Sequence, residues 1–178
     1  MSLLSRLFKP RPDDRQPVRP LWHRIVELAR DPRWYAAKDN GGGGVADTVA
    51  GRFDAITLVL SAVLLRMERE RALVPSSVLL TELFVDDMDG QLRQSGVGDL
   101  VVGKHIGRLV SSLGGRLGAL REAFAEDGDA GLVAAVERNV SMGENGDPAR
   151  VAALLRAFAA ALAGASGGDL LAARIALP

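Results

Sequence analysis

Cysteine is absent from the 178 residues, and histidine occurs only twice, as His23 and His105. No disulfide framework and no cysteine-based zinc site can be built from such a chain, which suits a reducing compartment and leads us to expect a cytoplasmic protein. Aromatic residues are scarce at 4%, against 48% hydrophobic residues overall. The core must then be made of Leu, Val and Ala, which suit packed helices better than a β-sandwich rich in branched and aromatic side chains. There is no excess of either charge: Lys plus Arg and Asp plus Glu number 22 each. The field of the whole chain offers nothing to attract nucleic acid. Long apolar runs are missing too. The stretch over residues 55–65 is bounded by Asp54 and Arg66 and falls short of the roughly 20 residues that span a bilayer. The first nine residues, MSLLSRLFK, lack the long apolar region and small-residue cleavage site of an export signal.

What is present reads as helix. Pro10, Pro12, Pro17 and Pro20 lie among charged residues, so residues 1–20 are expected to be a flexible tail that neither buries a face nor sustains a helix. In this tail Leu3, Leu4, Leu7 and Phe8 beside Arg6 and Lys9 make a weak amphipathic anchor, suited to transient contact with an anionic membrane. From Leu21 to the end one helical domain is expected. Leu21, Ile25, Val26, Leu28 and Ala29 recur at helical spacing up to Asp31-Pro32, where the proline biases its predecessor away from helix. The glycines at 41–44 carry no side chains to pack and predict a mobile connector. Phe53, Ile56, Leu60, Val63, Leu64 and Met67 then form the stripe of a central helix running to about Leu73 or Pro75. Ser76 or Ser77 is expected to cap the next helix, which carries Leu79, Leu80, Leu83, Phe84 and Leu92 and stops at Ser95-Gly96. Ile106, Leu109, Val110, Leu113, Leu117, Leu120 and Phe124 mark another long helix. Asp129 is expected to cap a helix over 132–140, Asp147-Pro148 to open one carrying Val151, Leu154, Leu155, Phe158 and Leu162, and Asp169 to start a last short one. The fold class is therefore all-α, a single compact bundle of about six helices, with Phe53, Ile56, Leu60, Leu64, Leu83, Phe84, Leu109 and Leu113 in its core.

Catalytic constellations are thin. The acidic run Asp86-Asp87-Met88-Asp89 resembles half of a magnesium and diphosphate site of the isoprenoid-synthase kind. That chemistry needs a second acidic motif on a facing helix, and Glu122, Glu126 and Asp127 supply no comparable pattern. An EF-hand register on Gly90 would put Val85 at the first ligand position and Gly96 at the bidentate glutamate position. The two histidines stand in separate segments without a matching nucleophile, so a triad is not expected. Gly96-Val97-Gly98-Asp99 lacks the third glycine of a dinucleotide fingerprint and follows a helix. Gly103, Gly107, Ser111, Gly114 and Gly118 recur at three- and four-residue intervals, a face that lets a second helix approach closely, expected here to be one of the chain's own. We expect no enzyme, no cofactor and no metal.

Several segments occur in a recognisable order: Val45-Ala46-Asp47-Thr48, Gly51-Arg52-Phe53-Asp54, Leu83-Phe84 with Asp86-Asp87-Met88-Asp89, Leu92-Arg93, Gly96-Val97-Gly98-Asp99 and Val102-Gly103-Lys104. With Trp22 and residues 25–35 before them and Arg138-Asn139 after them, this series resembles the ubiquinol-cytochrome c chaperone family. The resemblance implies an all-α domain that assists assembly of the cytochrome bc complex, chiefly by handling its cytochrome b subunit. It also implies partners among other subunits of that complex and a small helical partner protein; mitochondrial members associate with the translating ribosome. Two positions depart from the family pattern. Leu113-Gly114-Gly115-Arg116 stands where an aromatic-Tyr-Gly-Arg segment is usual, and Val45-Ala46-Asp47-Thr48 where Val-Pro-Asp-Thr is common. The charged residues of the family-like segments, Arg52, Asp54, Asp86, Asp87, Asp89, Arg93, Asp99 and Lys104, are the candidate partner-binding set. Antiparallel packing of neighbouring helices is expected to gather them at one end of the bundle. Mutual pairing that only fixes the loops is the structural alternative, and a general helical scaffold or a magnesium enzyme are the competing functions.

Overall fold

The central helix is wrapped on every side. In the computed structural model, which describes residues 14–94 and 102–178 and their side chains except at 91–94, 102–106 and 108, eight α-helices follow one another. They are α1 (Arg19–Ala29), α2 (Pro32–Tyr35), α3 (Val49–Glu68), α4 (Val74–Gln94), α5 (Val102–Ala125), α6 (Ala130–Asn139), α7 (Pro148–Gly164) and α8 (Gly167–Leu171). Helix α3 packs against α1, α4, α5 and α7, while α6 closes the ring by joining α5 to α7. It buries 13 of its 20 residues, including Thr57 and Ser61, and a helix that is covered all round belongs at the middle of a bundle. The all-α class expected from composition is what the chain adopts. Among the described residues the sole extended pairing is an isolated antiparallel bridge between Val45 and Met142, and no helix is long and apolar enough to cross a membrane.

Of the expected core, Ile56, Leu60, Leu64, Leu83, Phe84 and Leu113 are buried, whereas Phe53 and Leu109 are only partly so. Phe84 sits where three helices meet, with the Trp22 ring edge-on at 6.1 Å and the Phe53 ring tilted at 6.1 Å. Such aromatic pairs add about 0.5–1.5 kcal/mol beyond the area they bury, which offsets the scarcity of aromatics by concentrating them.

Four local expectations are corrected. Residues 16–20 do sustain helix, because a 3-10 turn over Gln16–Val18 buries Val18 and Pro20 falls in the first turn of α1, where a missing N–H costs nothing. Ser76 and Ser77 are not caps, since α3 already ends at Glu68 and α4 begins at Val74; the Ser77 hydroxyl instead donates to the Val74 carbonyl. Asp129 stands at the start of α6 but its carboxylate makes no cap hydrogen bond and pairs with Arg156. The last helix is capped by Ser166, with Asp169 at the third position of a reciprocal capping box. Asp147 caps α7 through the Arg150 N–H with Pro148 at its start, as the sequence indicates. The readings of residues 1–13 and of the turn at 95–101 lie outside the described residues.

The largest correction concerns the glycines at 41–44. Gly42, Gly43 and Gly44 are buried, and the run is a packed seam. The Gly43, Gly44 and Val45 amides donate to the carbonyls of Arg33, Ala36 and Trp34, while the Gly43 and Gly44 carbonyls accept from Asp147 and Gly143. A Cβ at Gly43 would lie 2.5 Å from Val151 Cγ2, and Gly44 has φ +67 with the Gly146 Cα 2.6 Å from where its Cβ would stand. Glycine is needed here because two backbones press against the seam, one from each side. The run therefore stitches the α2 turn to the loop between α6 and α7, and so positions the start of α3.

Candidate functional site

At the N-terminal end of α3, Asp54 and Thr57 lie one turn apart on a face turned towards α5. Asp54 is buried, and both of its carboxylate oxygens are engaged. Oδ1 accepts from Arg116 Nη2 at 2.5 Å, and Oδ2 accepts from the Ser141 amide at 2.8 Å. Arg116 also donates to the Thr57 hydroxyl, which in turn donates to the Asp54 carbonyl at 2.8 Å. The guanidinium carbon sits 5.3 Å from the centre of the Phe53 ring, a cation–π contact. A buried carboxylate is tolerable only when paired and hydrogen-bonded, and this one is both. The Ser141 carbonyl then accepts from Ala46, so the network ties α3, α5 and the α6–α7 loop to the glycine seam. Above it opens a polar pocket of ≈ 430 Å³ lined by Asp54, Ser111, Ser112, Gly115, Arg116, Arg138, Asn139, Val140 and Ser141.

The expected charged set is divided by this arrangement. Asp54 faces inward, whereas Arg52, two residues nearer the start of α3, is exposed and pairs with Asp47 at 2.7 Å. The hydrogen bond from Arg52 holds the Asp47 carboxyl below its ordinary pKa. Asp86 and Asp87 are exposed on α4 and Asp89 is partly exposed; Asp86 pairs with Arg15, and Asp87 and Asp89 have interactions of their own. The Phe53–Phe84 contact puts this stretch of α4 at the level of the first turns of α3, because antiparallel neighbours bring the end of one helix beside the start of the next. Arg93, Asp99 and Lys104 lie outside the described side chains. Sequence reasoning missed Arg116 as the partner of Asp54 and the pocket beside them. The family-like segment ending in Arg116 was the available signal, but nothing local says which acid, 62 positions away, it meets.

The other chemical readings find these placements. His23 is exposed. Among the described residues there is no cluster of three or more His, Cys, Asp or Glu that could hold a metal ion. Among the described residues, the small-residue face of α5 is open at its glycines. A Cβ at Gly107, Gly114, Gly115 or Gly118 would meet no atom within 4 Å, so the expected internal helix contact does not occur at these positions. The chain's own helices pack against the apolar side of α5, which carries Leu113, Leu120 and Ala123.

The described residues form an all-α bundle with a polar network and a pocket at the start of its central helix. The chain belongs to the ubiquinol-cytochrome C chaperone family, whose sequence model matches residues 43–175, from inside the glycine seam to beyond α8. Among solved structures it is similar to the Cbp3 homolog from Brucella abortus, with 27% identity, a TM-score of 0.79, and coverage of 99% of this chain and 97% of that one. No curated protein matches it.

Proposed function

We propose that this chain is a non-catalytic assembly chaperone for ubiquinol-cytochrome c reductase, the cytochrome bc complex, and that it binds the cytochrome b subunit, or another subunit of the complex, by protein–protein contacts. The observation that carries the reading is the family match across residues 43–175 joined to likeness to the Cbp3 homolog over nearly the whole of both chains. The contact surface in this reading is the charged end of the bundle. Arg52, Asp86, Asp87 and Asp89 face the partner there, and Arg93, Asp99 and Lys104 complete the set. Asp54 serves the same surface from beneath by fixing the loop at Ser141. The chain would act in the cytoplasm, peripheral to the membrane in which cytochrome b resides, with a small helical protein as a second partner.

The test is capture of cytochrome bc subunits from membranes solubilised in mild detergent, with Asp86 and Asp89 both changed to Lys. Capture is expected to be lost while the melting temperature changes little, because exposed ion pairs contribute only about 0–1 kcal/mol. Loss of folding together with capture would support a purely structural role for these acids. Full capture by a folded variant would place the partner surface elsewhere.

A further inference from the structure

The pocket above the Asp54–Arg116 pair holds more hydrogen-bond donors than the fold uses. Ser111, Ser112 and Ser141 line it, and the hydroxyl of none of them is engaged by a described side chain or backbone group. Arg138, in the last turn of α6, is exposed and has no acid partner among the described residues. Arg116 donates through Nη1 to Thr57 and through Nη2 to Asp54; a guanidinium has five N–H donors, so others are left over. On the acceptor side, Asp54 is already engaged at both oxygens. The lining carries one carboxylate against two guanidinium groups, so its charge is positive by one. A pocket with spare donors, spare positive charge and a satisfied acceptor is built for an anion, and a planar carboxylate is what a free guanidinium grips best.

The surroundings decide the source of that carboxylate. Ser111 and Gly115 belong both to the pocket and to the α5 face on which Gly107, Gly114 and Gly118 have open space where a side chain would stand. A polypeptide can lie with its backbone close against that face while one of its side chains reaches into the pocket. A free oxyanion would have no use for it.

We infer that the pocket between α5, the end of α6 and Ser141 receives an Asp or Glu side chain of a partner polypeptide, with Arg138 as its principal counter-charge. This deepens the chaperone reading by naming the chemistry of one contact, and its test stands apart from that reading because it needs no cytochrome bc subunit. The full chain, labelled with nitrogen-15, is titrated with a 12-residue peptide of Gly, Ser and Ala bearing one central Glu, and with the same peptide bearing Gln.

The expected result is a saturating shift of the Ser111, Ser112 and Ser141 amide signals by the Glu peptide, with the Gln peptide binding at least 10-fold more weakly. Arg138→Glu, verified as folded by an unchanged melting temperature, is expected to weaken the Glu peptide by at least 10-fold. Equal binding of the two peptides, binding indifferent to Arg138→Glu, or no shift at these three serines each overturns the assignment. Inorganic phosphate binding there more tightly than the Glu peptide would overturn the polypeptide source. Failure to capture cytochrome bc subunits, with these peptide results intact, would count against the chaperone reading alone.

Discussion

Asp54 and Arg116 meet as a buried ion pair at 2.5 Å, although 62 positions separate them in the chain. The pair does more than join α3 to α5, since the second carboxylate oxygen holds the Ser141 amide and so fixes the loop that forms one wall of the polar pocket. Removing one member of such a pair strands the other in a low-dielectric site, at a cost of about 3–5 kcal/mol. Asp54→Ala is therefore expected to lower unfolding stability by about that amount in urea denaturation, and the double variant Asp54→Ala with Arg116→Met should be less destabilised than the sum of the two single changes. Additive losses would show that the two side chains do not act as a pair.

Glycine positions give a prediction of opposite signs. A Cβ at Gly51 would fall 1.9 Å from the Ala46 carbonyl oxygen, which is backbone and cannot swing aside. Gly51→Ala is expected to destabilise by roughly the 1–3 kcal/mol typical of overpacking. Gly114 lies on α5 with nothing within 4 Å of its virtual Cβ, so Gly114→Ala should stabilise by up to about 1 kcal/mol through helix propensity. Thermal melts of the two variants check both signs at once.

Acid sensitivity should concentrate at the helix caps. The backbone N–H of Arg150 holds the Asp147 carboxyl below its ordinary value of 3.8, with the Lys38 ammonium adding to the effect. The Ser166 hydroxyl and Arg174 do the same for Asp169. A carboxyl whose folded pKa is depressed contributes stability that is fully present above its unfolded pKa and is lost as pH falls through the folded value. The contribution should hold above about pH 4 and fade below it. Asp147→Asn is expected to flatten the fall of melting temperature with acid relative to the unchanged chain, and an identical slope would refute the assignment.

Magnesium should leave the protein unmoved. A ligand at 100 times its dissociation constant stabilises the native state by about 2.7 kcal/mol, readily seen in a thermal melt. An upward shift of the melting temperature in millimolar magnesium, abolished by Asp86→Asn, would revive the magnesium-enzyme reading of the acidic run.

The tail offers a simple deletion experiment. Removing residues 1–13, which include Leu3, Leu4, Leu7 and Phe8 beside Arg6 and Lys9, is expected to reduce binding to liposomes containing anionic lipid while sparing neutral ones. Equal binding by the full and shortened chains would dispose of the membrane contact.

What the sequence determined by itself is the part of the molecule governed by neighbours in the chain. Helical spacing of Ile56, Leu60, Val63 and Leu64 announces the central helix, Asp147-Pro148 announces the start of α7, and the ordered segments between 45 and 104 announce the family, because periodicity, capping and motif order are local properties. The glycines at 41–44 read as a loose connector for the same reason: their own composition says nothing of the Arg33, Trp34 and Asp147 backbone groups that close around them. The small-residue face of α5 had every mark of an internal contact, yet the bundle packs on the apolar side of that helix and leaves Gly107, Gly114 and Gly118 open. Asp54 carried the same surface-charge appearance as Arg52 two positions earlier. Only the tertiary structure separated them, turning Arg52 to solvent and Asp54 to Arg116, because a helix rotates by about 200° in two residues and burial depends on what stands opposite.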